Sequence, residues 1–185
     1  MTKTFRIAFT MALSLSFLGC SETPSTVSET PSIVKNAFLT NHKETTIGKA
    51  FDAYFAASNW VMLKTKNGTQ YVEFTGKLKK VYGPLKVGTK VLMQFTIYND
   101  KSFEIKYAGF CELPSKLIQD FQNLETFQYV WPLPTHSGLA TPKEHAQAVR
   151  TLYIIAHLTP DLNDGTALML DSAGLQFLLK EIYED

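Results

Sequence analysis

The sequence predicts an α+β fold in two layers: an N-terminal helix packed on a four-stranded antiparallel meander, with additional C-terminal helices. Three observations carry this expectation. Apolar residues recur at helical spacing over residues 46–58, two later segments alternate at strand spacing around short turns, and residues 113–185 return mainly to helical spacing. The meander and its helix occupy residues 36–112, and the whole of 36–185 is one domain's worth of chain.

The first helix is read from Ile47, Ala50, Phe51, Tyr54 and Phe55, which fall at i, i+3, i+4, i+7 and i+8. Thr45 or Thr46 supplies the oxygen that caps its first amides, and the helix runs out by Ser58-Asn59. A hairpin follows from Trp60. Asn67-Gly68 is the signal of a two-residue type I′ turn, which needs φ > 0 at both positions. Pairing Lys66 with Thr69 sets Leu63 opposite Val72 and Val61 opposite Phe74, all on one face. The second hairpin alternates Val91, Met93, Phe95 and Ile97 with Leu92, Gln94, Thr96 and Tyr98. A three-residue loop at 99–101 sets Ile97 opposite Phe103, Phe95 opposite Ile105 and Met93 opposite Tyr107.

Beyond the meander, Leu117, Phe121 and Leu124 mark a helix over 115–124, and 126–131 reads as a short strand stopped by Pro132 and Pro134. Thr141-Pro142-Lys143-Glu144 is a capping box with proline at the first helical position. Val149, Leu152, Tyr153 and Ala156 form the expected buried stripe of that helix, which Pro160 ends. After a turn at 161–165, a last helix from about Ser172 buries Leu175, Leu178, Leu179 and Ile182.

The first twenty residues speak to location. Lys3 and Arg6 precede an uncharged apolar run over 7–18, too short to cross a hydrocarbon core of about 20 helical residues but suited to a secretory signal. The run ends in Phe17-Leu18-Gly19-Cys20, which resembles the lipobox of bacterial lipoproteins, with Phe17 where the family has an aliphatic residue. The resemblance implies that residues 1–19 are removed, that Cys20 carries lipid, and, from Ser21 beside it, that the product is exported to the outer membrane. SETPS occurs at 21–25 and again at 28–32. That composition predicts a disordered tether over 20–35, in which the stretch 21–32 is a spacer of about 40 Å. Losing residues 1–19 removes two cations, so the net charge passes from +1 to −1, which argues against nucleic acid or an anionic membrane surface as the main partner. Cys111 is then alone, so no internal disulfide is expected, and it reads as a small buried hydrophobe.

No motif advertises catalysis. His42, His136, His145 and His157 include no metal-ligand spacing, since His145 and His157 lie roughly 18 Å apart along one helix. The Gly-x-Ser-x-Gly elbow and the phosphate-binding glycine loops are missing from the sequence. Asp161, Asn163, Asp164 and Gly165 lack the alternating oxygens and closing glutamate of a calcium loop. No cofactor and no metal are expected. Aromatics carry the remaining signal: the register above sends Trp60, Met62 and Tyr71 to the outward face of the first hairpin, where they are candidate partner-binding residues. The alternative is that the C-terminal helices cover that face.

Residues 35–110 carry a second likeness. Thr45-Thr46-Ile47-Gly48-Lys49-Ala50-Phe51-Asp52, then Trp60 and Val72-Glu73-Phe74-Thr75-Gly76, resemble a recurrent small domain of exported bacterial proteins. Its helix-then-meander order is similar to β-lactamase-inhibitor-like and small outer-membrane assembly lipoproteins. The resemblance implies protein binding and no assigned reaction. Two functions are carried forward: a membrane-anchored, non-catalytic protein-binding module of the envelope, or a small envelope hydrolase built around His136 with Asp161 or Glu144.

Overall fold

A computed structural model describes residues 25–26, 31–123, 141–161 and 163–184. In chain order the elements are β1 (Ser25–Thr26), α1 (Ser32–Lys35), α2 (Ile47–Tyr54), β2 (Phe55–Lys64), β3 (Gln70–Leu78), β4 (Lys90–Ile97) and β5 (Phe103–Cys111). They continue with α3 (Ser115–Gln122), α4 (Pro142–Ala156), β6 (Leu158–Pro160), β7 (Leu168–Leu170) and α5 (Ser172–Glu184). The fold is α+β, and the strands make one sheet in the order β1-β2-β3-β4-β5-β7-β6, every pairing antiparallel. Among the described residues the sheet therefore has seven strands, where the predicted meander had four. The additions are the two-residue β1 at one edge and the β6–β7 hairpin at the other.

Helix α2 starts as expected, with Thr46 Oγ1 accepting the amide of Lys49 at 3.4 Å. It ends four residues earlier than the apolar pattern suggested. Phe55 already has extended backbone (φ −102, ψ 151) and opens β2. The Lys79 ammonium donates to the Asp52 and Ala53 carbonyls, satisfying acceptors that a helix end leaves without intrahelical partners. A bulge then fits the strand to its neighbour: Ala57 and Ser58 together face Gly76, with Ala57 at φ 51. Only glycine fits at position 76, because an added Cβ would lie 2.8 Å from the Phe74 ring and 2.9 Å from Phe55 Cβ.

The core lies on one side of the sheet. Phe51 projects from α2 into an aromatic cluster, its ring centroid 5.0 Å from Phe74, 5.6 Å from Trp60 and 6.1 Å from Phe95. Val72, Phe74, Val91, Met93, Phe95 and Phe110 are fully buried beneath it. Each such side chain contributes roughly 1.5–3 kcal/mol through burial.

The register of β2 on β3 differs from the expected one by a single residue. Lys64 faces Gln70, Met62 faces Val72 and Trp60 faces Phe74. The cause is the turn. Gly68 (φ 86) is left-handed while Asn67 is not, the Gly68 amide donates to Thr65 O at 3.0 Å, and the Thr65 amide donates to Thr69 O at 2.9 Å. This three-residue loop replaces the two-residue type I′ turn, and a one-residue slip moves the partner strand's side chains to the other face. The second hairpin is as expected for Ile97–Phe103 and Phe95–Ile105. A bulge at Lys106 then makes Ala108 the partner of Met93 and turns Tyr107 to the opposite face.

The described residues of the expected tether differ from a disordered chain. Residues 25–26 pair with β2, residues 32–35 are helical, and Val34 is 0% exposed in the core. Ile33-Val34 gives the stretch an apolar anchor that its Ser/Thr/Glu/Pro composition obscures.

Helix α4 has the predicted capping box: the Thr141 amide donates to Glu144 Oε2 at 2.7 Å, and the Glu144 amide donates back to Thr141 Oγ1 at 3.3 Å. Its buried side is Thr151, Ile154 and Ile155, not the predicted stripe. Arg150 grips Glu181 of α5 with two hydrogen bonds at 2.6 and 2.7 Å, and the Tyr54 hydroxyl of α2 donates to the same carboxylate at 3.2 Å. That carboxylate joins three helices. The last helix buries Leu178, Leu179 and Ile182 as predicted, with Leu175 half-buried. The expected strand at 126–131 and the loop holding His136 lie outside the described residues.

Candidate interaction surface

The structure does not bring Trp60, Met62 and Tyr71 together on an outward face. Met62 is 5% exposed and belongs to the core. Trp60 is half-buried on the same side, 4.6 Å from the Phe74 ring, with its indole N–H donating to Asp52 Oδ1 at 3.2 Å and the Lys35 ammonium 5.7 Å above it. Tyr71 alone points to the opposite face, where its strand partner is Leu63. This division follows directly from the one-residue slip.

That opposite face carries the buried Leu63 beside polar groups that pair with one another. Gln94 donates to Glu73 Oε2 at 3.0 Å, and the Tyr107 hydroxyl donates to Asp161 Oδ2 at 3.3 Å. Burial, then the Glu73 carboxylate, raises the Tyr71 phenol above its ordinary value. Burial, then the neighbouring Cys111 and Asp161, does the same for Tyr107. Both phenols therefore stay protonated through the neutral range and act as hydrogen-bonding groups. Cys111 is half-buried and in no disulfide.

The acids named for a hydrolytic site, Asp161 and Glu144, both make structural hydrogen bonds. Asp161 accepts from Tyr107 and from the amide of Asn163 at 2.8 Å, and Glu144 closes the capping box of α4. The Thr141 amide, then its hydroxyl, hold the Glu144 carboxyl below its ordinary value. His136 and Cys20 lie outside the described residues. A different dyad exists: His157 Nδ1 sits 2.9 Å from Asp171 Oδ2. Asp171 also accepts the amide of Gly174 at 2.8 Å, so the pair straps the end of α4 to the start of α5. Desolvation raises the Asp171 pKa, but that amide and His157 outweigh it and leave the carboxyl below its ordinary value. Among the described residues no group of three or more His, Cys, Asp or Glu could hold a metal ion, and no helix is long and apolar enough to cross a membrane.

What the molecule does present is the outer side of α4. Ala146, Val149, Leu152, Tyr153 and Ala156 follow one another at helical spacing, carry no charge and are all exposed. Val149 is 52%, Leu152 39% and Tyr153 40% accessible, high values for such side chains in one stripe. Tyr153 is held in place by the rings of His157 (4.4 Å) and Phe177 (4.9 Å), which extends the surface toward α5. Sequence periodicity found this stripe but put it inside. The missed signal is the run Leu152-Tyr153-Ile154-Ile155-Ala156, which is apolar on more than one side of the helix. A helix of that kind has two faces to cover, and the turn at Tyr82–Gly83 and helix α5 take one.

No family model, curated protein or solved structure matches the chain.

Proposed function

We propose that this chain is a lipid-anchored lipoprotein of the bacterial envelope, placed at the outer membrane through Cys20, and that it binds a protein partner without catalysis. The observation that carries the binding reading is the outward stripe of α4. A rigid tyrosine beside leucine and valine, free of charge and flanked by polar surface, is the composition that interface anchors favour. Support for the anchor comes from the Gly19-Cys20 junction behind an uncharged apolar run. A tethered binding module gains local concentration near envelope partners.

The contact surface thus passes from Trp60, Met62 and Tyr71 to Val149, Leu152 and Tyr153. A photo-crosslinking amino acid at position 152, in cells, should give one discrete protein adduct, whereas the same probe at exposed Lys180 on α5 should give none. Loss of the adduct in Val149→Glu, at unchanged Tm, supports the stripe as the contact. Equal adducts at 152 and 180 sink the reading. Labelling with a palmitate analogue should mark the wild type and not Cys20→Ala.

A further inference from the structure

We infer that the partner on the outward stripe of α4 is a second copy of this chain, docked with the two helices antiparallel about a two-fold axis beside Leu152. This rests on the reading of the stripe as the contact surface. Ala146, Val149, Tyr153 and Ala156 follow one another at the seam spacing of two paired helices. Their order is symmetric in size. When 149 of one helix faces 153 of the other, 146 faces 156, so the two outer layers set alanine against alanine and the two inner ones set valine against tyrosine. A two-fold interface uses one patch twice, and this patch is matched to itself. Parallel docking would instead stack tyrosine on tyrosine and valine on valine, a wide layer beside a narrow one.

Charge and dipole favour the same arrangement. No residue of the stripe is charged, so two copies meet along it without like-charge repulsion. On one flank, level with the axis, Leu152 meets Leu152 of the second copy. On the other flank Arg150 is drawn back by its two hydrogen bonds to Glu181. The start of α4 carries the positive end of the helix dipole and Lys143, with Glu144 turned back onto the Thr141 amide. The far end carries the negative end of the dipole and the exposed Asp171, held by His157. Antiparallel docking brings unlike ends together at both ends of the seam, whereas parallel docking brings like ends together. Tyr153 is already fixed by the His157 and Phe177 rings, so covering it costs little side-chain freedom. Helix α4 has 15 residues, roughly four turns, which makes this a small interface of the class that forms and parts with concentration.

The test uses the full chain in cells, made together as two differently tagged copies. A photo-crosslinking amino acid at position 152 of one copy should give an adduct that carries the second tag. Val149→Glu in both copies should reduce that adduct several-fold, at unchanged Tm of the purified variant. Register is read by mild oxidation in a Cys111→Ala background, with that parent alone setting the baseline. Copies with Val149→Cys and copies with Tyr153→Cys should form the mixed disulfide several-fold more than either forms its own. A discrete adduct without the second tag overturns the dimer and leaves the stripe as the contact for another protein. Absence of a discrete adduct, or equal adducts from probes at 152 and 180, overturns both. A doubly tagged adduct with the 149–149 and 153–153 disulfides prevailing overturns the antiparallel docking.

Discussion

The two hairpins of the meander have the same loop and were read from the same kind of pattern, yet only one register was legible. In each, a strand residue donates its amide across the turn (Thr65 to Thr69 O, Tyr98 to Ser102 O), and the fourth turn residue is left-handed (Gly68 at φ 86, Lys101 at φ 65). The difference lies in the strands. In β4 the alternates of Met93 and Phe95 are Gln94 and Thr96, so one face is marked polar. In β2, Trp60, Val61, Met62 and Leu63 are apolar on both faces, and Val72 and Phe74 of β3 turn inward under either register. Nothing in β2's hydrophobic pattern contradicted the Asn-Gly reading. A turn signal is only as decisive as the faces that check it.

The largest effect expected from breaking this comparison is at the ring both halves share. Phe74→Ala should cost about 3–5 kcal/mol in denaturant unfolding, since Phe51, Phe55 and Trp60 all pack on it. A loss comparable to a surface substitution would mean that α2 does not share the hairpin's core. Next come the turn residues, which separate the two registers. Gly68→Ala should cost roughly 1–2 kcal/mol because φ is positive there, whereas Asn67→Ala should stay within about 0.5 kcal/mol. A type I′ turn would make both costly, so equal losses would restore the register first expected. At the equivalent place in the second hairpin, Lys101→Gly should raise stability by up to about 1 kcal/mol, relief of the left-handed strain exceeding the added chain entropy. A lower Tm for that variant would refute the equivalence.

The smallest effect is acid sensitivity, which should belong to the second hairpin alone. The Ser102 hydroxyl, then its amide, hold the Asp100 carboxyl below its ordinary value, so the folded state favours the charged form. That contribution is present above the ordinary aspartate range and is lost as pH falls through the depressed folded value. In the first turn the corresponding acceptor is the Thr65 hydroxyl, which takes the Thr69 amide at 3.1 Å and does not titrate. Hydrogen exchange at low pH should therefore open 98–102 before 65–69, and Asp100→Asn should differ from wild type near neutrality but not in strong acid.

Elsewhere, what could be read depended on how many constraints met at one residue. The α4 start was legible because three local signals coincide there: threonine, proline, and glutamate three residues after the cap. The end of α2 was not, because Phe55 fits the helical stripe and the strand equally well, and the bulge at Ala57–Ser58 that settles it has no sequence mark. Strands β6 and β7 are three residues each and gain their meaning only from pairing beside β5. The outward stripe of α4 shows the other kind of failure: its spacing was right and its direction wrong, since periodicity fixes a face without saying what lies against it.

The bulge in β2 has a consequence for the protein's behaviour among other chains. Beyond β3, the only described pairing of β2 is with two residues of β1, so from Phe55 to Met62 its outer edge has no described strand beside it. Such edges are templates on which unrelated strands can add and aggregates can grow. Ala57, left-handed and out of step with the ladder, interrupts the even run of amides and carbonyls that an incoming strand would have to match. The irregularity that fits β2 to Gly76 on its inner side thus makes the outer side a poor seed for fibres.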